Sequence, residues 1–533
     1  MYNNYTPLQQ RQLALQEYSN TQSTYLLVCA PARSTALKST LTDQLHRKFR
    51  LVDRLGGELT ASVDGVLLAA EDVELMSTAL MYFAKALQDG ADYAVCNAVF
   101  GFGGATALYQ SQPLQAQNRC AVVSRTLLER CRAAAHDPEN VPELLALAAQ
   151  LCTRPTLIPQ ALLHYERGIC AEDAFSAHGK RAFIMSHVLD MTGAPIVLVS
   201  AVPVLRSMGY EVLVLGPSDG GSLHLFLDAG ASVITRSSCR NVSDAWGMAL
   251  CADFVIVNTV VMARAVRALS GTAVPVLWWL HDAFAGYPHI AHQIPTQLGE
   301  NVRVYSVGSH AANAMHAVRP EFEIRPLIYG LPDYAAENFV RTDLGYNRGR
   351  PLFATVGSFE RRKGHDIFCK AIRLLPPEVR EKASFLFVGQ AADKEMMDSV
   401  RTLTADYPEN VYYCKRLTRD EIKSLMEQCT GLVCASRDDP MPTFVTEGLI
   451  FGKPSIVSEH TGTAGLISEG RNGFVYHNDD PQQLAVLLEH AIEHPEELAS
   501  MRTECRKMYE QYYSKEAFEQ TLRTAVEDLT EKK

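Results

Sequence analysis

Three acidic residues, Asp438, Asp439 and Glu447, fall within Ser436-Arg-Asp-Asp-Pro-Met-Pro-Thr-Phe-Val-Thr-Glu447, where a loop passes into a helix. A carboxylate at a helix start accepts two hydrogen bonds at once, which suits a vicinal diol. Met441-Pro442-Thr443-Phe444 leads into that helix, and exposed backbone amides there can face a sugar or a phosphate. The structural alternative is that Asp438 and Asp439 shape a turn before Pro440 while Glu447 caps the helix. A second stretch, Ala354-Thr-Val-Gly357-Ser358-Phe-Glu-Arg361-Arg362-Lys363-Gly364-His-Asp366, reads as a strand, a turn carrying three cations and a helix start. Cations fixed at such a turn stabilise negative charge that grows on a leaving group, and so favour the transition state over the ground state. An isolated Arg-Arg-Lys cluster is a solvated surface, but its place after a strand and a linker favours chemistry. In Trp278-Trp-Leu-His281-Asp282, His281 either packs as a structural residue or holds a hydroxyl at the end of a strand.

Elements long enough to position these groups are available. At 533 residues the chain exceeds what one hydrophobic core organises, and 47% hydrophobic against 21% charged residues is ordinary globular composition. The formal net charge of -10 offers no general attraction to nucleic acid, and no basic run exceeds Arg361-Arg362-Lys363. Thirteen cysteines without a Cys-x-x-Cys pair suggest neither a zinc site nor a disulfide framework, and point to free thiols in a reducing cytoplasm. The opening residues lack a secretory pattern, and the apolar run Ala194 to Leu205 is shorter than the roughly 20 residues a bilayer span needs. A cytoplasmic protein is expected, with work at the inner face of a membrane left open.

Three regions follow from pattern: 1–175, 178–342 and 343–533. The first shows incomplete α/β alternation, with strands at Thr24 to Ala30 and Gly65 to Ala69 and helices at Ser39 to Lys48 and Glu74 to Gln88. The second has short β-branched strands at Arg181 to Met185, Glu211 to Leu215, Ser232 to Thr235, Phe254 to Asn258 and Val274 to Leu280. After a polar linker, Arg341 to Arg350, alternation restarts with strands at Leu352 to Val356, Phe385 to Val388, Val411 to Tyr413, Gly431 to Ala435 and Ser455 to Val457. Two doubly wound halves joined by a hinge place a ligand at the carboxyl ends of facing strands. The tail from His490 to Thr530 reads as helices.

Ser436 to Val457 resembles the donor-site signature of retaining glycosyltransferase family 4, which has the GT-B fold of two Rossmann-like domains. That family carries two acidic residues separated by seven, then a helix ending in Gly-x-Pro. Asp439 and Glu447 take the acidic places, with Asp439 where glutamate is usual, and Gly452-Lys-Pro454 matches the helix end. The resemblance implies that Glu447 holds a ribose, that Asp439 contacts the donor sugar, and that Met441, Pro442, Thr443 and Phe444 line the donor. Gly357 to Gly364 resembles the family's diphosphate-binding segment, with Lys363 in its Lys-Gly pair. Ser358 stands where many relatives have arginine, so Arg361 or Arg362 supplies the second cation. Gly389 matches a strand-end glycine near the nucleotide, and the backbone at Leu417 falls where the base is met. Ile184-Met-Ser-His187 with Thr192-Gly193-Ala194 resembles the first strand and its glycine loop, retaining only Gly193 of the usual pair. His281 matches a histidine facing the donor sugar, and Thr461 to Phe474 resembles a loop and helix after the final core strand.

The function so implied is transfer of a sugar from a UDP- or GDP-sugar co-substrate to a hydroxyl on a glycan or lipid-linked acceptor, with retention and without a required cofactor or metal. His281, Asp439 and Lys363 would be catalytic, the halves would close about Arg341 to Arg350, and the final helix would cross back onto the preceding half. Cell-surface polysaccharide or glycoconjugate synthesis is the family's usual setting. Two rivals are a nucleotide-sugar epimerase and a non-catalytic subunit of a glycosyltransferase complex. The first region is similar to the opening of the GT-A fold of glycosyltransferase family 2, shortened. Where that family has a metal-holding Asp-x-Asp, this chain has Ala69 and Glu71 in Leu67-Leu-Ala-Ala-Glu-Asp72, and Leu162-Leu-His-Tyr-Glu166 resembles its closing segment. Losing the first carboxylate weakens the oxygen cluster a hard cation needs, so an inactive accessory domain used for assembly or acceptor placement is expected. An unrelated α/β domain is the alternative.

Overall fold

The computed structural model describes residues 23–30, 34–42, 44, 46–55, 62–71, 73–102, 105–110, 119–165, 180–217, 220–235 and 246–531. The chain divides into two compact units, Met1–Val257 with Ala268–Val276, and Asn258–Arg267 with Leu277–Lys533.

In the first unit the apolar strand Leu26–Cys29 runs parallel to Phe49–Val52 and Gly65–Ala69. Antiparallel strands continue the sheet: Cys120–Ser124 beside Gly65–Ala69, then Tyr93–Phe102, then Ala105–Gln110. Leu27, Val66, Tyr93, Val123 and Leu144 are among the buried side chains of its core. Ala105–Gln110 then pairs antiparallel with Ser232–Thr235, which opens a parallel run through Tyr210–Gly216, Lys180–Met185 and Phe254–Asn258. The first region and the first Rossmann-like strands therefore share one sheet.

Local pattern misjudged parts of this unit. The helix expected from Glu74 begins only at Ala79, because Val73–Leu75 is a strand paired antiparallel with Leu163 to Tyr165. The expected helix Ser39 to Lys48 is Thr35–Leu41, followed by the strand Phe49–Val52. In each case pairing with a distant strand outweighs a weak helical period. Ala69 is the buried last residue of its strand and Glu71 is exposed, whereas Asp72 and Glu166 lie outside the described residues.

The second unit contains a six-stranded, wholly parallel sheet in the order Val411–Cys414, Ser384–Val388, Leu352–Val356, Gly431–Cys434, Ser455–Ser458, Gly473–Tyr476. Numbered along the chain this is 3-2-1-4-5-6, the doubly wound order whose switch point lies between its first and fourth strands. Ser384–Val388 is buried along its whole length, as expected of a strand with helices on both faces. Thr418 and Glu421 close a reciprocal capping box on the helix Arg419–Gln428, and Asp393 and Asp480 cap two others. The loop and helix expected after Ser455 to Val457 are instead a short 3-10 turn, Ala464–Leu466, and the sixth strand.

The same unit holds the parallel strands Val302–Ser306 and Ile324–Pro326. The last helix, Lys515–Thr530, buries Phe518, Leu522, Ala525, Val526 and Leu529 at helical spacing. Phe518 stacks on Trp279 with ring centroids 5.7 Å apart, and the Trp279 indole N–H donates to the Leu327 carbonyl at 2.9 Å. Where the chain crosses at Leu331 and again at Tyr513, the Leu331 amide donates to the Tyr513 carbonyl at 2.7 Å. The helix thus does cross back. The expected linker is strapped down: the Thr342 amide donates to Ser424 Oγ, and Gln428 donates to the Thr342 carbonyl. Trp279→Ala removes a fully buried ring and its hydrogen bond, so urea denaturation should show a loss of about 3–5 kcal/mol.

Candidate active site

The switch point brings two loops together. The Arg437 amide donates to the Arg362 carbonyl at 2.8 Å, and the Arg437 guanidinium bonds the Arg361 carbonyl and, through two 2.8 Å contacts, Asp366. Burial raises the Asp366 carboxyl, but hydrogen bonds and charge from Arg437 outweigh it and hold the group below its ordinary range. Gly364 ends the cationic turn at φ 65°, and a Cβ there would lie 1.8 Å from the Ala435 carbonyl oxygen. Only glycine permits both that conformation and that approach. Gly389 serves similarly, since its Cβ would meet the Gly357 carbonyl oxygen at 1.8 Å.

These constraints deliver Lys363 to Asp439. The ammonium donates to Oδ2 at 2.6 Å, Ser436 Oγ lies 3.4 Å from the same oxygen, and the Met441 amide donates to Oδ1 at 3.3 Å. Asp439 is 3% exposed, so its charge is desolvated and depends on these partners. Beneath the turn, burial first and the nearby Lys363 charge second push the His365 imidazole down to about 3, so it packs as a neutral ring against Phe359.

Asp438 points elsewhere. It accepts from the amides of Phe284 at 3.1 Å and Ala285 at 2.9 Å, and from His310 Nε2 at 2.7 Å. Burial raises its carboxyl, but these bonds hold it below the ordinary range. Sequence reasoning passed over His310, which has no neighbouring motif; only its burial beside Asp438 reveals it.

Glu447 lies within the helix Thr443–Ile450, one turn past its start, and accepts from Arg419 Nη1 at 2.7 Å. The Arg419 guanidinium lies over the Tyr334 ring, 4.2 Å from its centroid. The amides of Thr443 and Phe444 have no hydrogen-bond partner among the described residues, and Pro442 supplies no side-chain cap. Tyr329, buried and 3.4 Å from Thr446 Oγ1, is raised by burial first and further by the Asp439 and Glu447 carboxylates.

The other expected residues divide. Arg362 is bound to Glu360 and to the Asp438 carbonyl, whereas the exposed Arg361 guanidinium makes no hydrogen bond among the described residues. Ser358 donates to Glu360, and Leu417 lies in the loop before the helix Arg419–Gln428. His281 follows the strand Val276–Leu280 and packs on Trp279, ring centroids 4.6 Å apart. Gly193, in the first unit, opens the helix Gly193–Val199, and a Cβ there would meet nothing within 4 Å.

Next to His281, burial pushes the Asp282 carboxyl up from 3.8 to about 6, against hydrogen bonds from the Val260 and His281 amides. An acid raised on folding binds its proton more tightly in the native state, so this site loses stability as pH climbs from about 4 to about 6. Asp282→Asn should therefore be more stable than the parent at pH 7.5, by on the order of 1–2 kcal/mol, with a higher thermal midpoint and the gain gone below pH of about 4 in matched melts.

Residues 178–321 match the family described as Glycosyl-transferase family 4, and residues 337–508 the one described as Glycosyl transferases group 1. Over 198 residues the chain is 26% identical to an uncharacterized glycosyltransferase of Methanocaldococcus jannaschii, covering 36% of this chain and 53% of that protein. Over 160 residues it is 27% identical to spore coat protein SA of Bacillus subtilis, covering 28% of this chain and 41% of that one. The chain thus spans about half the length of these relatives. The Anabaena protein HepE, solved in complex with UDP, superposes with a TM-score of 0.55 at 18% identity, covering 66% of this chain and 100% of that one. That likeness is one of fold, the GT-B fold, and the two family matches make residues 178–508 a glycosyltransferase of the family 4 type.

Proposed function

We propose that the chain transfers a sugar from a nucleotide-sugar donor to an acceptor hydroxyl with retention at the anomeric carbon. The donor lies over the carboxyl ends of Leu352–Val356 and Gly431–Cys434. The observation that carries this reading is Lys363, a cation held by a desolvated carboxylate at a switch point, beside a loop whose helix amides at Thr443 and Phe444 have no partner among the described residues.

As the glycosidic bond breaks, charge accumulates on the leaving diphosphate, and preorganised donors there stabilise the transition state without reorganising. Lys363 and Arg361 take that charge, since Arg362 is committed to Glu360 and Asp438. Asp439 acts through Lys363 by holding its ammonium in place. Glu447, exchanging Arg419 for the ribose diol, grips the nucleoside, and the Leu417 backbone meets the base. Gly357, Ser358 and Gly389 leave room for the phosphates, Met441 and Pro442 shape the sugar pocket, and His281 orients the sugar. Solution of HepE with UDP and with UDP-glucose favours a uridine donor here. The cationic turn supplies the charge a metal would otherwise bring, and the acceptor is a glycan or lipid-linked hydroxyl.

In a thermal-shift screen of UDP- and GDP-sugars, a donor at 100 times its dissociation constant should stabilise the parent by about 2.7 kcal/mol. Lys363→Ala and Glu447→Ala should lose most of that gain, and Lys363→Ala should lower kcat/KM by about 10²–10³. Equal stabilisation of all three proteins would overturn the site. Transfer should persist in EDTA, and the product's anomeric configuration, read by NMR, should match the donor's.

A further inference from the structure

The two neighbouring carboxylates face different parts of the unit, and only Asp439 is absorbed by the donor chemistry. Asp438 gathers three donors that all come from residues 284–310: the Phe284 and Ala285 amides and His310 Nε2. The turn Phe284–Gly286 has no buried residue of its own. It begins three residues after His281. His310, 4% exposed, has the rings of Phe284 at 5.0 Å and His460 at 5.7 Å beside it. The Asp438 backbone is itself fixed, its carbonyl accepting from Arg362 at 3.0 Å. Close packing repeats the join nearby, since a Cβ on Gly308 would lie 2.7 Å from Met441 Cε.

We infer that Asp438 and His310 are positioning residues that fasten the turn after His281 to the donor loop, and so set His281 against the sugar end of the site. The inference rests on the donor-site reading above for its catalytic consequence, but the fastening itself is a separate, measurable claim. Charge-assisted bonds from two amides and an imidazole are the strong kind, and the aspartate that receives them adjoins the one that holds Lys363. One loop thereby places a cation for the leaving group and fastens the turn that follows the His281 imidazole.

Hydrogen exchange followed by mass spectrometry on the full chain tests the fastening directly. Asp438→Asn and His310→Ala should speed exchange at Phe284 and Ala285 by about tenfold or more, while the helix Lys515–Thr530 keeps its protection. Phe284→Pro removes one donor without touching Asp438, and Ala283 at φ -87°, ψ 166° already has the backbone that precedes proline. Phe284→Ala, which keeps the amide, is its control. With a donor identified, Asp438→Asn and Phe284→Pro should lower kcat by about 10- to 100-fold and leave UDP or GDP affinity within about threefold, and His310→Gln should recover part of the loss seen in His310→Ala. Unchanged exchange in Asp438→Asn would overturn the fastening. Faster exchange with unaltered kcat, or nucleotide affinity lost as fully as in Lys363→Ala, would overturn the positioning role. Absence of turnover with every nucleotide sugar would count against the proposed function while the exchange result still decides the fastening.

Discussion

A charge that must not be left alone organises the second unit. Asp439 is withdrawn from solvent, and an unpaired carboxylate in that position would cost several kcal/mol, so Lys363 has to reach it. That requirement fixes the path of the cationic turn, the left-handed Gly364, the absence of a side chain where the Ala435 carbonyl approaches, and the Arg437–Asp366 pair that locks the two loops. The strand order makes it possible, because only at a switch point do loops following the first and fourth strands lie side by side.

Adjacent acids along one extended loop project to different sides, which lets a dipeptide address two surfaces at once. Asp439 turns toward its own sheet's cation and Asp438 toward the amides and imidazole of residues 284–310. Asp439 is satisfied by a cation and hydrogen bonds and Asp438 by three hydrogen bonds, which is what makes ionised groups tolerable in a poorly solvated setting. The consequence is that the Lys363 ammonium is placed by the fold itself.

In the first unit, continuity of hydrogen bonding is the dominant fact. An edge left by the parallel strands at Ser232–Thr235 is covered by Ala105–Gln110, so the first region extends the sheet of the strands that follow it. Antiparallel strands such as Cys120–Ser124, paired through long sequence separations, carry little local signature, and the register breaks around Asn97 blur the period of Tyr93–Phe102 further.

The amino-acid sequence alone was enough for five of the six parallel strands of the last region, because short apolar runs mark strands covered by helices whatever their neighbours, but Gly473–Tyr476 reads locally as part of a loop and helix. The residue types of the candidate site are legible there too, since Lys363-Gly364 and the spacing of Asp439 from Glu447 are local. What only the tertiary structure decided is which charge meets which. Lys363 and Asp439 are far apart along the chain, as are Asp438 and His310, and no local period encodes such a meeting. The contrast between Arg361, left exposed, and Arg362, tied to Glu360 and the Asp438 carbonyl, is likewise set by a loop arriving from another strand. Short-range order follows from side-chain chemistry and backbone sterics, whereas pairing of desolvated charges depends on the order in which strands are laid down in the sheet.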